Sequence, residues 1–229
     1  MIWHTSTQPI AADANKIATQ GPAVRIKPVR RSRSERGFSL VEMIIVVAIM
    51  LTAAAVSIIN FPPAMAAMRM NSALNMTAET MKLARSQAFS DRCVYRVDFT
   101  LPATLTVTQQ ATGLIVKTVI LPPGVNFDAE PGLPSTPTTT PDGFGSGTIS
   151  GPIDFDADFG VGGLNQLFFY PDGSARDSNG HVNNGVVYLA QPGNINSSKA
   201  VSLWGITGRV KKWALSINKT TGVKSWGQS

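Results

Sequence analysis

The most constraining feature of this chain is an apolar run at residues 43–61, in which 19 consecutive residues include no charged side chain. As an α-helix this run would be about 28 Å long at ~1.5 Å per residue, which matches the hydrocarbon thickness of a bilayer. It therefore predicts a membrane-spanning helix. Glu42 directly precedes the run, and a carboxylate at such a place calls for a partner, because unpaired charge in lipid is costly.

A short motif leads into this helix: residues 36–42 read Arg-Gly-Phe-Ser-Leu-Val-Glu. The motif, with basic residues before it and the apolar run behind it, resembles the class III signal of type IV pilins and type II secretion pseudopilins. The resemblance implies that prepilin peptidase cuts between Gly37 and Phe38 and methylates the new amino terminus. It also implies that Glu42 aligns each subunit against its neighbour in a helical filament.

Elementary electrostatics agrees with that role for Glu42. A cut after Gly37 frees a cationic amine on Phe38, and the Glu42 carboxylate of a neighbouring subunit is a natural counter-charge for it in an apolar environment. The alternative is an ordinary secretory signal or a plain membrane anchor. Residues 64–66, Ala-Met-Ala, do resemble a signal-peptide cleavage site. However, the apolar run is longer than the usual 7–15-residue signal core, and Glu42 argues against this alternative.

The charge distribution predicts how the chain is oriented in the membrane. Residues 1–37 hold seven basic and two acidic side chains, whereas the rest of the chain holds 13 and 12. The positive-inside rule then places residues 1–37, the leader peptide, in the cytoplasm. It places the part of the chain after the helix, residues 92–229, outside the bacterial inner membrane. The resemblance implies as partners other pilin or pseudopilin subunits, prepilin peptidase and the inner-membrane assembly platform.

Catalytic and metal-binding residue patterns are not evident. Cys93 is the only cysteine, which excludes an intramolecular disulfide, and His181 is the only histidine after residue 37. Nothing in the sequence resembles a Cys/His zinc site or a His-based catalytic triad. We therefore expect a chain that is not an enzyme and that has no cofactor and no metal.

The rest of the chain predicts an α+β fold, in which a long spine helix packs on an antiparallel β head. Pro62 and Pro63 predict a kink or a short break between a membrane half at residues 38–61 and an amphipathic half at residues 62–91. The apolar side chains expected on the buried face of the second half are Met65, Met68, Met76, Leu83 and Phe89.

The pattern changes to β after residue 92, where the head at residues 92–229 begins. Alternating or β-branched segments predict strands at residues 93–99, 104–108, 114–120, 164–170, 186–190, 200–206 and 209–217. The last two are predicted to form a hairpin, after a loop at residues 191–198. Residues 81–88 and 164–217 also resemble the GspH/FimT subfamily of minor pilins and minor pseudopilins.

Two further segments of the head leave alternatives open. Residues 129–152 hold five prolines and predict a long surface loop, which is either a solvated insertion or a variable contact surface. Asp154, Asp156 and Asp158 alternate along the chain. Their spacing fits a calcium loop poorly, since the sixth and twelfth positions are Phe159 and Asn165. In a strand these three acids would face solvent, with Phe155 in the core.

The carboxyl-terminal hairpin is basic. Some FimT-like minor pilins bind DNA through a Gly-Arg-x-Arg element at this place, which the sequence matches as Gly208-Arg209-Val210-Lys211. In strand geometry Arg209 and Lys211 share one face and Lys212 points to the other. Binding to nucleic acid through these three side chains is one prediction. The alternative is a solvated basic edge that prevents pairing with other strands.

Three functions therefore follow from the sequence. The first is assembly, as a minor pilin or pseudopilin of a type IV pilus or a type II secretion system. The second is a DNA-binding minor pilin for DNA uptake. The third is a membrane-anchored extracytoplasmic domain that does not polymerise, in which case Gly37 would not be a cleavage site.

Overall fold

The computed structural model describes residues 37–145, 151–155 and 165–229, apart from the side chains of residues 58–60. One long helix, α1, runs from Leu40 to Asp91 and comprises 52 residues. It continues without a break through Pro62 and Pro63. The predicted short break at this place is therefore wrong, and the kink stays a prediction. The chain divides into two compact units at Ala48, and the second unit contains the rest of the helix and the head.

The head contains two antiparallel sheets. The first has the strand order β3-β2-β1-β6-β7, with β1 Tyr95–Thr100, β2 Thr104–Gln109, β3 Ile115–Ile120, β6 Gln166–Phe169 and β7 Ala175–Arg176. The second has the order β11-β10-β9-β8-β4, with β4 Asn126–Phe127, β8 Gly185–Gln191, β9 Asn194–Trp204, β10 Arg209–Ile217 and β11 Lys224–Gln228. A short strand, β5 Ile153–Asp154, also pairs with β8. The α+β class is confirmed.

Each predicted strand corresponds to an observed one, and the β9–β10 hairpin is present, with Trp204 opposite Arg209. The predicted loop at residues 191–198 is wrong, because β9 already begins at Asn194 and Gln191 pairs with it. Polar side chains dominate this part of β9, and its neighbour β8 supplies the backbone partners that make it a strand. The short strands β4, β5 and β7 and the terminal strand β11 were missed, since two to five residues carry little periodic signal.

The second half of α1 packs on the head through small side chains. Five of its six positions that are 0% exposed carry small side chains, namely Ala73, Thr77, Ala78, Ala84 and Ala88, and the sixth is Met81. The predicted buried face is wrong for Met68 and Phe89, which are 64% and 70% exposed, whereas Met76 packs against the core and Met65 and Leu83 are half-buried. Bulky residues suggested that face, but the sheets approach the helix where alanine permits it. These helix residues share one core with Val97 and Phe99 of the first sheet and Val201 and Leu203 of the second.

The described part of the long loop, residues 129–145, covers the other face of the second sheet. Leu133 and Phe144 are buried there against Tyr188 and Ala200 in a second apolar cluster. Leu133 and Phe144 are therefore packed rather than solvated, whereas residues 135–139 of this loop are exposed. Residues 146–152 lie in part outside the described residues, as do Asp156 and Asp158.

Candidate functional site

The predicted cleavage site lies just before the helix. Residues 37–39 are not helical, and α1 begins at Leu40. The side chain of Phe38 is 75% exposed, and a Cβ atom placed at Gly37 would have no neighbouring atom within 4 Å. The bond between Gly37 and Phe38 is therefore outside the helical hydrogen-bond ladder, as a peptidase requires of a bond that it must reach.

Glu42 lies in the first helical turn. A carboxylate is favourable there, because the helix dipole places partial positive charge at the amino terminus. Glu42 is exposed, and the next charged residue along the chain is Arg69. No other ionisable side chain of the helix is thus near enough to pair with it.

The helix surface beyond Glu42 is apolar on all sides. The window Leu40–Ser57 has a mean hydropathy of 2.4, and none of it is buried within the protein. Large side chains such as Ile44, Ile49 and Leu51 are more than half exposed. A helix that is hydrophobic all round needs lipid or other helices to cover it. The described structure therefore fits a single-pass membrane anchor.

The predicted basic hairpin places Arg209 and Lys211 at one cleft and Lys212 elsewhere, as the strand alternation predicted. The Lys211 ammonium forms an ion pair with Asp142 from the long loop, and these two side chains are 18% and 6% exposed. It also lies 5.6 Å from the ring centre of Trp204 and 5.7 Å from that of Trp213. With its charge already compensated and largely buried, Lys211 is poorly placed to contact a phosphate.

The remaining side chains of the hairpin are divided between its two faces. Lys212 donates to the side-chain oxygen of Asn75 on α1 at 3.0 Å, on the face opposite Lys211, as the alternation predicted. Trp213 donates to the hydroxyl of Ser202 at 2.8 Å and packs with the second apolar cluster. Arg209 is exposed and has no ion pair within the described residues.

Arg209 instead belongs to a cationic groove, which we define by Lys82, Arg85, Trp204, Gly208 and Arg209. These residues line an open cleft of about 580 Å³. Sequence reasoning missed Lys82 and Arg85, because they lie more than 100 residues earlier. Their helical spacing of three, which places them on one face of α1, was the only signal available.

The turn before β10 brings the helix and the hairpin together. Gly208 has φ +59°, and a Cβ atom there would lie 2.3 Å from the Gly173 oxygen and 2.6 Å from Arg85 Nε. Arg85 Nε donates to that Gly173 oxygen at 3.1 Å. Only glycine permits this approach, so Gly208 positions the Arg85 guanidinium beside Arg209.

The acids around the cationic groove are already paired. Glu79 accepts from Lys82 at 2.9 Å, and this hydrogen bond lowers the pKa of the Glu79 carboxyl. Asp172 accepts from the Ser174 hydroxyl, which lowers the pKa of Asp172, and it also pairs with Arg176 at 2.6 Å. The groove therefore keeps positive charge at Arg85 and Arg209.

Of the three alternating aspartates, Asp154 lies among the described residues, and the calcium alternative stays untested. Asp154 is only 3% exposed in β5, so the expectation that it faces solvent is wrong, whereas Phe155 is in the core as predicted. The pairing of β5 with β8 encloses both side chains. Among the described residues, no group of three or more His, Cys, Asp or Glu side chains could hold a metal ion.

Comparison with known proteins gives one match. The prokaryotic N-terminal methylation motif matches residues 32–58, which include Gly37, Phe38 and Glu42 and the whole apolar window Leu40–Ser57. No curated protein and no solved structure matches the chain. The match covers only the amino-terminal part and leaves the head without a comparison.

Proposed function

We propose that this chain, whose methylation motif indicates a type IV pilin-like precursor processed by prepilin peptidase, is a minor pilin or minor pseudopilin. The cut lies between Gly37 and Phe38, and Glu42 pairs with the Phe38 amine of a neighbouring subunit. The role is structural rather than catalytic. It belongs to a type IV pilus or a type II secretion system, with the head on the outer side of the inner membrane.

One observation carries the proposal: a helix with no buried residue between Leu40 and Ser57 begins with a single carboxylate. Lipid covers such a surface in the membrane, and parallel helices of other subunits cover it in a filament. Each of those subunits supplies one amine and one carboxylate at the same height. Packing many copies therefore compensates both charges, which an isolated anchor in lipid leaves unpaired.

The arrangement of the head supports the GspH/FimT assignment within that class. The segment that resembles this subfamily, residues 81–88, forms the last part of α1 that is buried against the sheets. The second resembling segment includes the β9–β10 hairpin, whose turn meets α1 at Arg85. The two segments, distant in sequence, thus form one contact in the fold.

The first experiment is intact mass and amino-terminal sequencing of the protein from membranes of its native host. A chain that begins at N-methylated Phe38 is the expected result. A chain that begins after Ala66, or one that still carries residues 1–37, would contradict the proposal and leave a secreted or plainly anchored domain.

A pair of glycine variants sharpens this experiment. Gly37→Val places a branched side chain at the scissile bond, and we expect the precursor to accumulate uncut. Gly227→Val is the matched control, because a Cβ atom at Gly227 meets nothing within 4 Å in exposed β11. Equally efficient processing of the two variants would show that Gly37 does not determine the cut.

Binding of nucleic acid is a second candidate, favoured by the cationic groove rather than by the hairpin alone. Arg85 and Arg209 can each contact a phosphate, and Trp204 is 40% exposed at the same groove, where a base could stack. Two or three phosphate contacts give weak binding that salt suppresses and that does not depend on sequence.

The test is a gel-shift titration of the processed full-length chain in detergent with single- and double-stranded DNA. We expect Arg209→Ala and Arg85→Ala to weaken binding and Lys219→Ala, an exposed control, to leave it unchanged. Equal binding by all three variants, or none by the wild type at low salt, would refute this candidate and leave the assembly role intact.

A further inference from the structure

A second cleft lies between α1 and the start of the β9–β10 hairpin, about 360 Å³ in volume. Its helix side runs from Pro63 to Asn71, and its sheet side includes Gln191, Asn194 and Lys199. Gln191 closes one side, since its side-chain amide donates to the backbone oxygen of Ala66 at 3.0 Å. We refer to this feature as the amide cleft.

The amide cleft is lined by donors without partners. Asn71, Asn194 and Asn196 are exposed, and their side chains make no hydrogen bond to another described residue. Ser198 also lines the cleft, and its buried hydroxyl has no partner among the described residues. Side-chain amides donate as well as accept, so together they suit a ligand rich in oxygen atoms.

Lys199 supplies the one charge among the residues that line the amide cleft. It has no ion pair within the described residues, and burial lowers the pKa of its ammonium group. The carboxylate of Glu130 lies beyond the adjoining turn and accepts from the Gly193 N–H at 2.6 Å, so it is already engaged. A partly desolvated cation beside neutral donors is a setting that an anion stabilises.

The position of the amide cleft along α1 indicates where that anion comes from. The uncharged apolar run ends at Phe61, and Pro63 lies two residues later, about 3 Å along the helix at ~1.5 Å per residue. The polar headgroup layer begins where the hydrocarbon ends and is on the order of 5–7 Å thick on each side. The lower edge of the cleft therefore meets this layer while the subunit is in the membrane.

We propose that the amide cleft binds the phosphate diester and hydroxyl groups of an anionic glycerophospholipid headgroup. Lys199 contacts the phosphate, and the asparagine amides contact the glycerol hydroxyls. Such a contact holds the head against the membrane before assembly and must break when the subunit leaves the bilayer. The inference depends on membrane insertion of α1 and not on the filament role, so either can fail alone.

The test uses the processed full-length chain in zwitterionic detergent micelles, with dihexanoyl phosphatidylglycerol as the probe and native mass spectrometry as the readout. We expect the wild type to retain this lipid and to bind dihexanoyl phosphatidylcholine much more weakly. Lys199→Gln should lower the affinity for phosphatidylglycerol by about tenfold or more, since a charge-assisted contact is lost. Lys219→Gln removes the same charge from an exposed turn and should change nothing.

Two further arms make the result decisive. Asn71→Ala removes a donor on the helix side and should also weaken binding, which keeps the proposal testable should the Lys199 variant fold poorly. Glycerol 3-phosphate alone should bind far more weakly than the lipid. Equal affinity for the two lipids, equal affinity of the wild type and Lys199→Gln, or binding of glycerol 3-phosphate as tight as that of the lipid would overturn the proposal.

Discussion

The two halves of α1 use apolar residues in opposite ways. Between Leu40 and Ser57 the helix exposes bulky isoleucine, valine, leucine and methionine side chains on every side. Between Met70 and Ala88 it buries four alanines, Thr77 and Thr80, together with Met70, Leu74 and Met81, against the two sheets. Side chains of the first kind suit lipid, which adapts to any shape. Those of the second kind suit a rigid sheet, which must approach the helix closely.

The more hydrophobic half of α1 is thus the exposed half, and the less hydrophobic half is the buried one. The more apolar half has no partner within the described chain, so its cover must come from lipid or from other subunits. The less apolar half finds its partner in the head of the same chain. Substitutions in the first half should therefore affect insertion and assembly, whereas those in the second should affect folding.

The largest expected effect is on assembly, at Glu42. Glu42→Gln leaves the Phe38 amine of a neighbouring subunit without its counter-charge, and breaking one partner of a buried pair costs about 3–5 kcal/mol. We expect processing to continue and incorporation into sheared filaments to fall on the order of a hundredfold. Immunoblots of the filament and membrane fractions measure both.

The matched control for this variant is Glu79→Gln in the second half of α1. It removes the same charge from an ion pair with Lys82. In this pair the Lys82 side chain is 47% exposed and the Glu79 side chain 62% exposed. Incorporation should stay at the wild-type level, because surface pairs contribute little. Equal incorporation of Glu42→Gln and wild type would contradict the pairing role.

The next effect, on stability, compares one substitution in the two halves. Met81 is 0% exposed and Met50 is 65% exposed. Met81→Ala leaves a cavity between helix and sheets and should lower the free energy of unfolding by about 2–5 kcal/mol. Met50→Ala should leave it unchanged. Denaturant titration of the full chain in detergent measures both, and equal losses would mean that the described core is wrong.

The smallest effect concerns the end of the buried half, where the Tyr95 hydroxyl donates to Asp91 Oδ2 at 2.5 Å. This hydrogen bond raises the pKa of Tyr95 to about 12. The hydrogen bond contributes fully to the free energy of unfolding below the pKa of tyrosine in the unfolded state, about 10. This contribution is lost as the pH rises through 12. Tyr95→Phe should therefore be less stable by about 1 kcal/mol at neutral pH, and the difference should disappear between pH 10 and 12.

The control for this variant is Tyr170→Phe, since the Tyr170 hydroxyl makes no hydrogen bond within the described part of the chain. Its stability relative to the wild type should not change with pH in this window. A Tyr95→Phe curve parallel to that of the wild type from pH 7 to 12 would refute the contact with Asp91.

Much of the fold could be predicted, because its signals are local. The length of the apolar run defines the membrane helix, and the change of period after residue 92 identifies the strands. The motif at residues 36–42 lies inside the match to the methylation motif, and a cut between Gly37 and Phe38 stays a prediction. The buried face of α1 could not be predicted, because it depends on which side chains let the sheets approach closely.

The candidate nucleic-acid site shows the same limit more sharply. The sequence grouped Arg209 with Lys211 and Lys212 because they are neighbours in one strand. In the structure Lys211 forms an ion pair with Asp142 from the long loop. Gly208 instead leaves the space in which Arg85 lies close to the turn before Arg209. Contacts between residues this far apart follow from chain topology, which no short pattern encodes.

The sequence by itself thus determined the anchor, its carboxylate and the order of helix and strands, because hydropathy, charge and periodicity act over a few neighbouring residues. Only the tertiary structure decided which cations are free, which loop is packed and where the clefts lie. The physical reason is that burial and ion pairing depend on distances between segments. Those distances are set when the sheets close around the alanine face of α1.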